Sequence, residues 1–179
     1  MNTDIQTHLK SLVRDIPNFP KPGIVFKDIA PLFQNPKILN DMLDQLAEPW
    51  KNKDIAVVAG AEARGFLTAP GIAERIGAGF VPIRKPGKLP YETISCNYDL
   101  EYGSDTLEIH KDALNHGKNV LLADDLLATG GTMQACCELI NTLKGNVLGA
   151  SFIIELSFLN GKKKLAPVEC HSLIQYDAE

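Results

Sequence analysis

The stretch that most constrains this chain runs Val120-Leu121-Leu122-Ala123-Asp124-Asp125-Leu126-Leu127-Ala128-Thr129-Gly130-Gly131-Thr132. Its apolar start, Val120 to Leu122, reads as a strand covered on both faces, the kind that parallel sheets contain. Two adjacent carboxylates follow, then a loop of small residues, then a helical pattern beginning near Gly131. In open α/β sheets, ligands gather just beyond the carboxyl ends of such strands. Gly130 and Gly131 carry no Cβ, so the chain can turn tightly there and bring its N–H groups close to a ligand. Thr129 and Thr132 add hydroxyl donors, and the positive end of the next helix points to the same place. The combination is a phosphate cradle with Asp124 and Asp125 at its rim.

Carboxylates beside a phosphate site make sense only if they face something else. They can accept hydrogen bonds from neighbouring hydroxyls or from water around a metal ion. A ribose 5-phosphate meets both demands, its 2′ and 3′ hydroxyls donating to the acids while the phosphate sits in the loop. Asp and Gly are also ordinary turn residues. A turn alone, however, does not explain an acid pair, two glycines and two threonines at one strand end. Other phosphate loops fit worse. No lysine follows Gly131, as a P-loop requires. At Gly77-Ala78-Gly79, Pro82 occupies the third glycine position of the dinucleotide fingerprint.

The rest of the chain alternates strand and helix. Ile5 to Val13 has weak helical spacing, and the prolines between Ile16 and Ile29 exclude a regular helix. Ile38 to Leu46 reads as a helix and Ile55 to Ala59 as a strand. The loop Gly60 to Phe66 follows, leading to a helix through Glu74. Phe80 to Ile83 and Val147 to Ile154 read as further strands, and Asn160-Gly161 as a turn. The pattern predicts an α/β fold, a doubly wound and mainly parallel sheet. Arg64, at a second strand end, offers a guanidinium fork suited to phosphate oxygens. Between Ile83 and Leu107 lies a long polar stretch without a strong period, the kind that often forms a lid. Its Arg84, Lys85 and Lys88 suit a polyanion; the alternative is a solvated hairpin with incidental charges.

A chain of 179 residues suits one domain with a substantial core. Its net charge of −4 argues against nucleic acid as a partner. Met1 to Lys10 is polar, unlike a signal peptide, and no run reaches membrane-spanning length. Cys96, Cys136, Cys137 and Cys170 lack CxxC spacing and read as free thiols in a reducing compartment. A soluble cytoplasmic protein with no membrane partner is expected.

The segment from Val120 to Thr132 resembles the phosphoribosyl pyrophosphate (PRPP) motif of type I phosphoribosyltransferases. Across most of its length the chain is similar to the adenine phosphoribosyltransferase family. The likeness is carried by Asn18-Phe19-Pro20 through Phe26-Lys27-Asp28-Ile29, by Glu62-Ala63-Arg64-Gly65-Phe66, and by Arg84-Lys85-Pro86-Gly87-Lys88-Leu89-Pro90. It continues through Tyr98 to Gly103, Leu107-Glu108-Ile109 and Asp124 to Thr132. Hypoxanthine–guanine enzymes usually place Glu-Asp before an Asp-Thr-Gly-x-Thr loop, unlike the Asp-Asp and Ala-Thr-Gly-Gly-Thr here. A PRPP-sensing regulator would add a basic DNA-binding module, for which no segment is available.

The resemblance implies a type I phosphoribosyltransferase fold over residues 1–179, with a small N-terminal hood (about 16–33) and a mobile lid (about 85–106). It implies conversion of adenine and PRPP to AMP and pyrophosphate by a cytosolic homodimer. Magnesium is the implied cofactor, held mainly by PRPP and water rather than by protein ligands. Asp124 and Asp125 would hold the ribose, and Ala128, Thr129, Gly130, Gly131 and Thr132 the 5-phosphate. Arg64 and the Glu62-Ala63 peptide, often cis in this family, would hold pyrophosphate with Arg84 and Lys88. Val25, Phe26 and Lys27 would contact adenine, with Leu156 on its opposite face. Glu101 and Tyr102 would act from the lid, Glu101 managing the proton that the base loses. Within the likeness, Lys27 stands for a frequent arginine, Ala61 and Ala123 for larger aliphatics, and Tyr91 for a small or basic residue.

Overall fold

The computed structural model describes residues 3–99 and 104–178. Along the chain the elements are α1 (Thr3–Leu12), β1 (Arg14–Pro17), β2 (Val25–Asp28), α2 (Ala30–Gln34), α3 (Pro36–Ala47), β3 (Val57–Ala61), α4 (Ala69–Ile76) and β4 (Gly79–Ile83). They continue with β5 (Thr93–Asp99), β6 (Ser104–His110), β7 (Asn119–Leu127), α5 (Gly131–Thr142), β8 (Asn146–Leu156), α6 (Gly161–Leu165) and β9 (Cys170–Tyr176). Local chemistry marks several ends. The Asn35 side chain accepts hydrogen bonds from the Lys37 and Ile38 N–H groups ahead of Pro36, a start signal for α3. Gly77, at φ 71°, closes α4 in the left-handed conformation that suits glycine.

Five strands form one sheet in the order β4-β3-β7-β8-β9, and every pairing is parallel. Successive residues of a strand face opposite sides, and β7 shows the result. Leu121 and Ala123 join Leu43, Leu46 and Ile72 from α3 and α4 on one face. Val120 and Leu122 join Cys136, Leu139 and Ile140 from α5 on the other. Helices therefore cover both faces, and the fold is doubly wound, as the sequence predicts. Among the described residues, no helix is long and apolar enough to cross a membrane.

Two small antiparallel pairs stand apart from the main sheet. The proline-rich segment holds the antiparallel pair β1–β2, in register from Arg14↔Asp28 to Pro17↔Val25. Pro17 is tolerated because it terminates a short strand in a two-stranded sheet with free edges. Within the polar stretch before Leu107, the described residues form the antiparallel pair β5–β6. Its period is present but short: Ile94, Cys96 and Tyr98 alternate inward opposite the buried Leu107 and Ile109. Strand β7 also runs further than its apolar start suggests, through both acids to Leu127, because β8 stays paired with it as far as Leu127↔Glu155.

Candidate active site

The sheet's strand order places a notch at one edge of β7. After β3 the chain moves outward to β4, then returns to place β7, β8 and β9 on the other side. Ligands collect at such a switch point, beyond the carboxyl ends of the strands. Strand β3 pairs with β7 only as far as Gly60↔Ala123, so from Asp124 onward β7 loses that neighbour. A cleft of about 300 Å³ opens there. It is lined by Glu62, Ala63 and Arg64 after β3, and by every residue from Asp124 to Met133. Lys85, Tyr98, Asp105 and Leu107 complete it from the side of the β5–β6 hairpin.

The floor is the loop from Ala128 to Thr132. Gly130 takes φ 82° at the start of α5, and no side chain caps that helix. Its first N–H groups are thus left for an anion. The loop rests directly on the backbone of the next connection. A Cβ at Gly130 would lie 2.8 Å from the Gly161 carbonyl oxygen, and one at Gly161 would lie 2.2 Å from that of Ala128. Tyr98 and Thr132 line the cleft together, so the β5–β6 pair and the loop share one wall.

The acids form the wall. Asp125 is buried, and its Oδ2 lies 2.9 Å from Arg64 Nε. Its N–H donates to Asp124 Oδ1 at 2.9 Å. Burial holds the Asp124 carboxyl well above the usual carboxylate range, and the charge of Asp125 adds to that effect. Burial raises Asp125 too, against the opposing pull of Arg64. The Arg64 loop can pass this close because residue 65 is glycine: a Cβ there would lie 2.7 Å from the Ala123 carbonyl oxygen.

Glu62 anchors the cations at the cleft's edge. The Glu62-Ala63 peptide is cis. The Glu62 carboxylate accepts from Arg84 Nε and from the Lys85 N–H, each at 3.0 Å. Burial works against its charge, but these two donors prevail and hold its pKa low. Arg84 also donates to the Lys88 carbonyl oxygen at 3.1 Å. Neither Arg84 nor Lys88 lines the cleft, whereas Lys85 does, paired with Asp105 at 3.1 Å.

A second cavity, about 250 Å³, lies between β2 and the end of β8. Ile24, Val25, Lys27, Leu156, Phe158, Leu159 and Ala178 enclose it, making its walls mostly apolar. Phe26 points elsewhere. Its ring packs edge-on against Phe19 at 5.1 Å and lies 5.2 Å from the Arg64 guanidinium carbon.

Residues 30–172 match the family described as Phosphoribosyl transferase domain. The adenine phosphoribosyltransferase of Thermobifida fusca (strain YX) is 53% identical over 173 residues, covering 97% of this chain and 98% of that protein. The chain belongs to the adenine phosphoribosyltransferase family. Members of this family are enzymes of the pentosyltransferase class. Solved structures agree at the level of the fold. The adenine phosphoribosyltransferase of Rhodothermus marinus superposes with a TM-score of 0.92 at 45% identity, covering 98% of this chain and 100% of that one. The Saccharomyces cerevisiae enzyme, solved with an imino-altritol bisphosphate and adenine, gives 0.87 at 41% identity, covering 95% and 98%.

The structure gathers most of the residues that the sequence nominated. Asp124, Asp125, Ala128 to Thr132, Glu62, Ala63 and Arg64 share the first cleft. Val25, Lys27 and Leu156 share the second cavity. Arg84, Lys88 and Phe26 stand beside these spaces rather than in their walls. Glu101 and Tyr102 lie outside the described residues. Sequence reasoning did not nominate Tyr98, Asp105, Phe158 or Leu159. For Tyr98 a signal existed, the inward alternation with Ile94 and Cys96.

Proposed function

We propose that this chain transfers the phosphoribosyl group of PRPP to adenine, forming AMP and releasing pyrophosphate in purine salvage. One juxtaposition carries the reading: the phosphate loop with its acid pair lies on the same chain as a mostly apolar cavity between β2 and Leu156. The loop from Ala128 to Thr132 takes the 5-phosphate, and Asp124 and Asp125 accept from the ribose hydroxyls. Arg64 and the Glu62-Ala63 backbone face the leaving pyrophosphate, with Arg84 and Lys88 contributing from the rim. Val25, Phe26 and Lys27 hold adenine against Leu156, largely through backbone groups.

The bond from C1 to pyrophosphate breaks with oxocarbenium character. Adenine N9 adds from the opposite face, inverting C1, and Glu101 receives the proton lost from the base. Preorganised cations such as Arg64 stabilise charge where it develops, which is usually the dominant contribution to catalysis in such sites. Closure of the lid over the cleft, aided by Tyr102, keeps water from the reacting centre.

Among the described residues, no group of three or more His, Cys, Asp or Glu side chains gathers to hold a metal. Magnesium commonly binds through one or two carboxylates plus substrate phosphates and water. Asp125 is already paired with Arg64, so such an ion would be carried mainly by PRPP and water, with Asp124 and Asp125 accepting at most from that water. When bound, it neutralises charge on the departing pyrophosphate. A cytoplasmic homodimer is part of this reading. Exposed Phe80, on the edge strand β4, supports a second copy covering that edge.

The test is pyrophosphate release from PRPP and magnesium with adenine, hypoxanthine, guanine, xanthine or no base. Release with adenine alone, matched by AMP, is expected. Release with a 6-oxopurine would overturn the base assignment, and PRPP binding without release under any base would indicate a regulator.

A further inference from the structure

The cavity under β2 has walls from two separate sheets. One wall is β2, which among the described residues pairs only with β1. The other is the end of β8 with the turn beyond it and Ala178. Lys27 lies where these walls meet. Its side chain is 7% exposed, and its Nζ lies 2.8 Å from Oδ1 of Asp15, its cross-strand partner. That ion pair is internal to the hairpin and cannot join it to the large sheet. A different contact does: Lys27 Nζ also stands 4.3 Å from the centre of the Tyr176 ring.

Tyr176 is the last residue of β9 and pairs in register with Leu156, which forms the facing wall. The ring is itself held from α1. Lys10 Nζ stands 4.4 Å from its centre and donates to the Gln175 carbonyl oxygen at 2.7 Å. An ammonium over an aromatic face is attracted by the ring's quadrupole, more strongly once both are withdrawn from water. The distance between Lys27 and Tyr176 therefore helps set the distance between Val25 and Leu156.

We propose that Tyr176 is a positioning residue for the base: by holding the Lys27 ammonium, its ring sets the spacing between β2 and Leu156. The proposal rests on reading this cavity as the adenine site. Tyr176 lines neither the PRPP cleft nor the cavity itself, so in this proposal it acts on base affinity through Lys27 and leaves the PRPP cleft alone.

Steady-state kinetics of the full chain with magnesium, varying each substrate at saturating levels of the other, test it. Tyr176→Leu keeps apolar bulk but removes the π face. Its KM for adenine should rise about tenfold, the equivalent of one partly desolvated cation–π contact. KM for PRPP should stay within about twofold of wild type. Tyr176→Phe keeps the ring and should restore the wild-type KM for adenine. The proposal is overturned if Tyr176→Leu leaves that KM unchanged, if both KM values rise together, or if Tyr176→Phe is equally impaired. Should Tyr176→Leu fail to fold, Lys27→Met removes the ammonium at similar side-chain length. The same split is expected there, and an unchanged KM for adenine overturns the proposal. A wild-type chain that forms no AMP from adenine is a separate result: it overturns the base reading and this proposal with it.

Discussion

Replacing Gly161 with alanine should disable the phosphate loop from outside it. Gly161 opens α6, and its φ is not in the left-handed region, so alanine suits the backbone there. Helix propensity alone would predict a gain of about 1 kcal/mol. Sterics predicts the opposite. The new Cβ would lie 2.2 Å from the Ala128 carbonyl oxygen and 3.1 Å from Leu127 Cδ1, where contacts under 3.0 Å are essentially never seen. The closest obstacle is backbone, so no rotamer change relieves it, and the loop must retreat by about 1 Å. Overpacking of this kind costs about 1–3 kcal/mol, which cancels or exceeds the propensity gain. For a chain of this length the melting temperature should then fall by about 2–4 °C for each net kcal/mol lost. The catalytic effect should be larger, because a displacement of about 1 Å in a positioning group can cost about 10²-fold. Thermal unfolding and kcat/KM for PRPP at saturating adenine measure the two effects. The expected result is a loss of about 10² in kcat/KM for PRPP, with KM for adenine little changed. A variant matching wild type in both assays would show that Gly161 does not set the loop. A destabilised variant with intact kcat/KM for PRPP would refute the assignment of the 5-phosphate to this loop.

Asp124→Asn should weaken PRPP binding, since an amide is a poorer acceptor for a sugar hydroxyl, and titration calorimetry with PRPP and magnesium measures it; unchanged affinity would remove Asp124 from the ribose site. The same variant has a signature in pH. Burial and Asp125 raise the Asp124 pKa in the folded state, so its contribution to stability is full below the unfolded value and is lost as pH rises through the folded one. Ligand-free Asp124→Asn should therefore be more stable than wild type at neutral pH, with the gain shrinking on acidification through the aspartate range; a pH series of denaturant midpoints checks this, and a gain that grows toward low pH contradicts it. Glu101→Gln should lower kcat by about 10²–10⁴ with PRPP affinity little changed, and single-turnover AMP formation would expose an unaltered rate that excludes Glu101 from proton transfer.

The sheet and its phosphate loop were legible because their signals are local and redundant. Val120 to Leu122 reads as a buried strand, and Gly130 and Gly131 read as a turn whatever surrounds them. The two hairpins were less legible. Their strands are short, β1 carries a proline, and the alternation of Ile94, Cys96 and Tyr98 is diluted by exposed polar neighbours. The extent of β7 through the acids was hidden for another reason. Asp124 and Asp125 do not look like strand residues, and only the ladder to β8 keeps them extended.

By itself the sequence determined the chemistry available: an anion loop, an acid pair, a guanidinium at a second strand end, and a parallel sheet to hold them. These follow from residue types within a few positions of one another, where backbone preference and side-chain chemistry decide the outcome. Tertiary structure alone decided which charges meet. Arg64 pairs with Asp125, Arg84 turns to Glu62, and Lys85 rather than Lys88 faces the cleft beside Asp105. Arg64 and Asp125 are distant in sequence yet separated by 2.9 Å in space. Ion pairing depends steeply on separation and on exclusion of water, and neither is defined until the strands have found their neighbours.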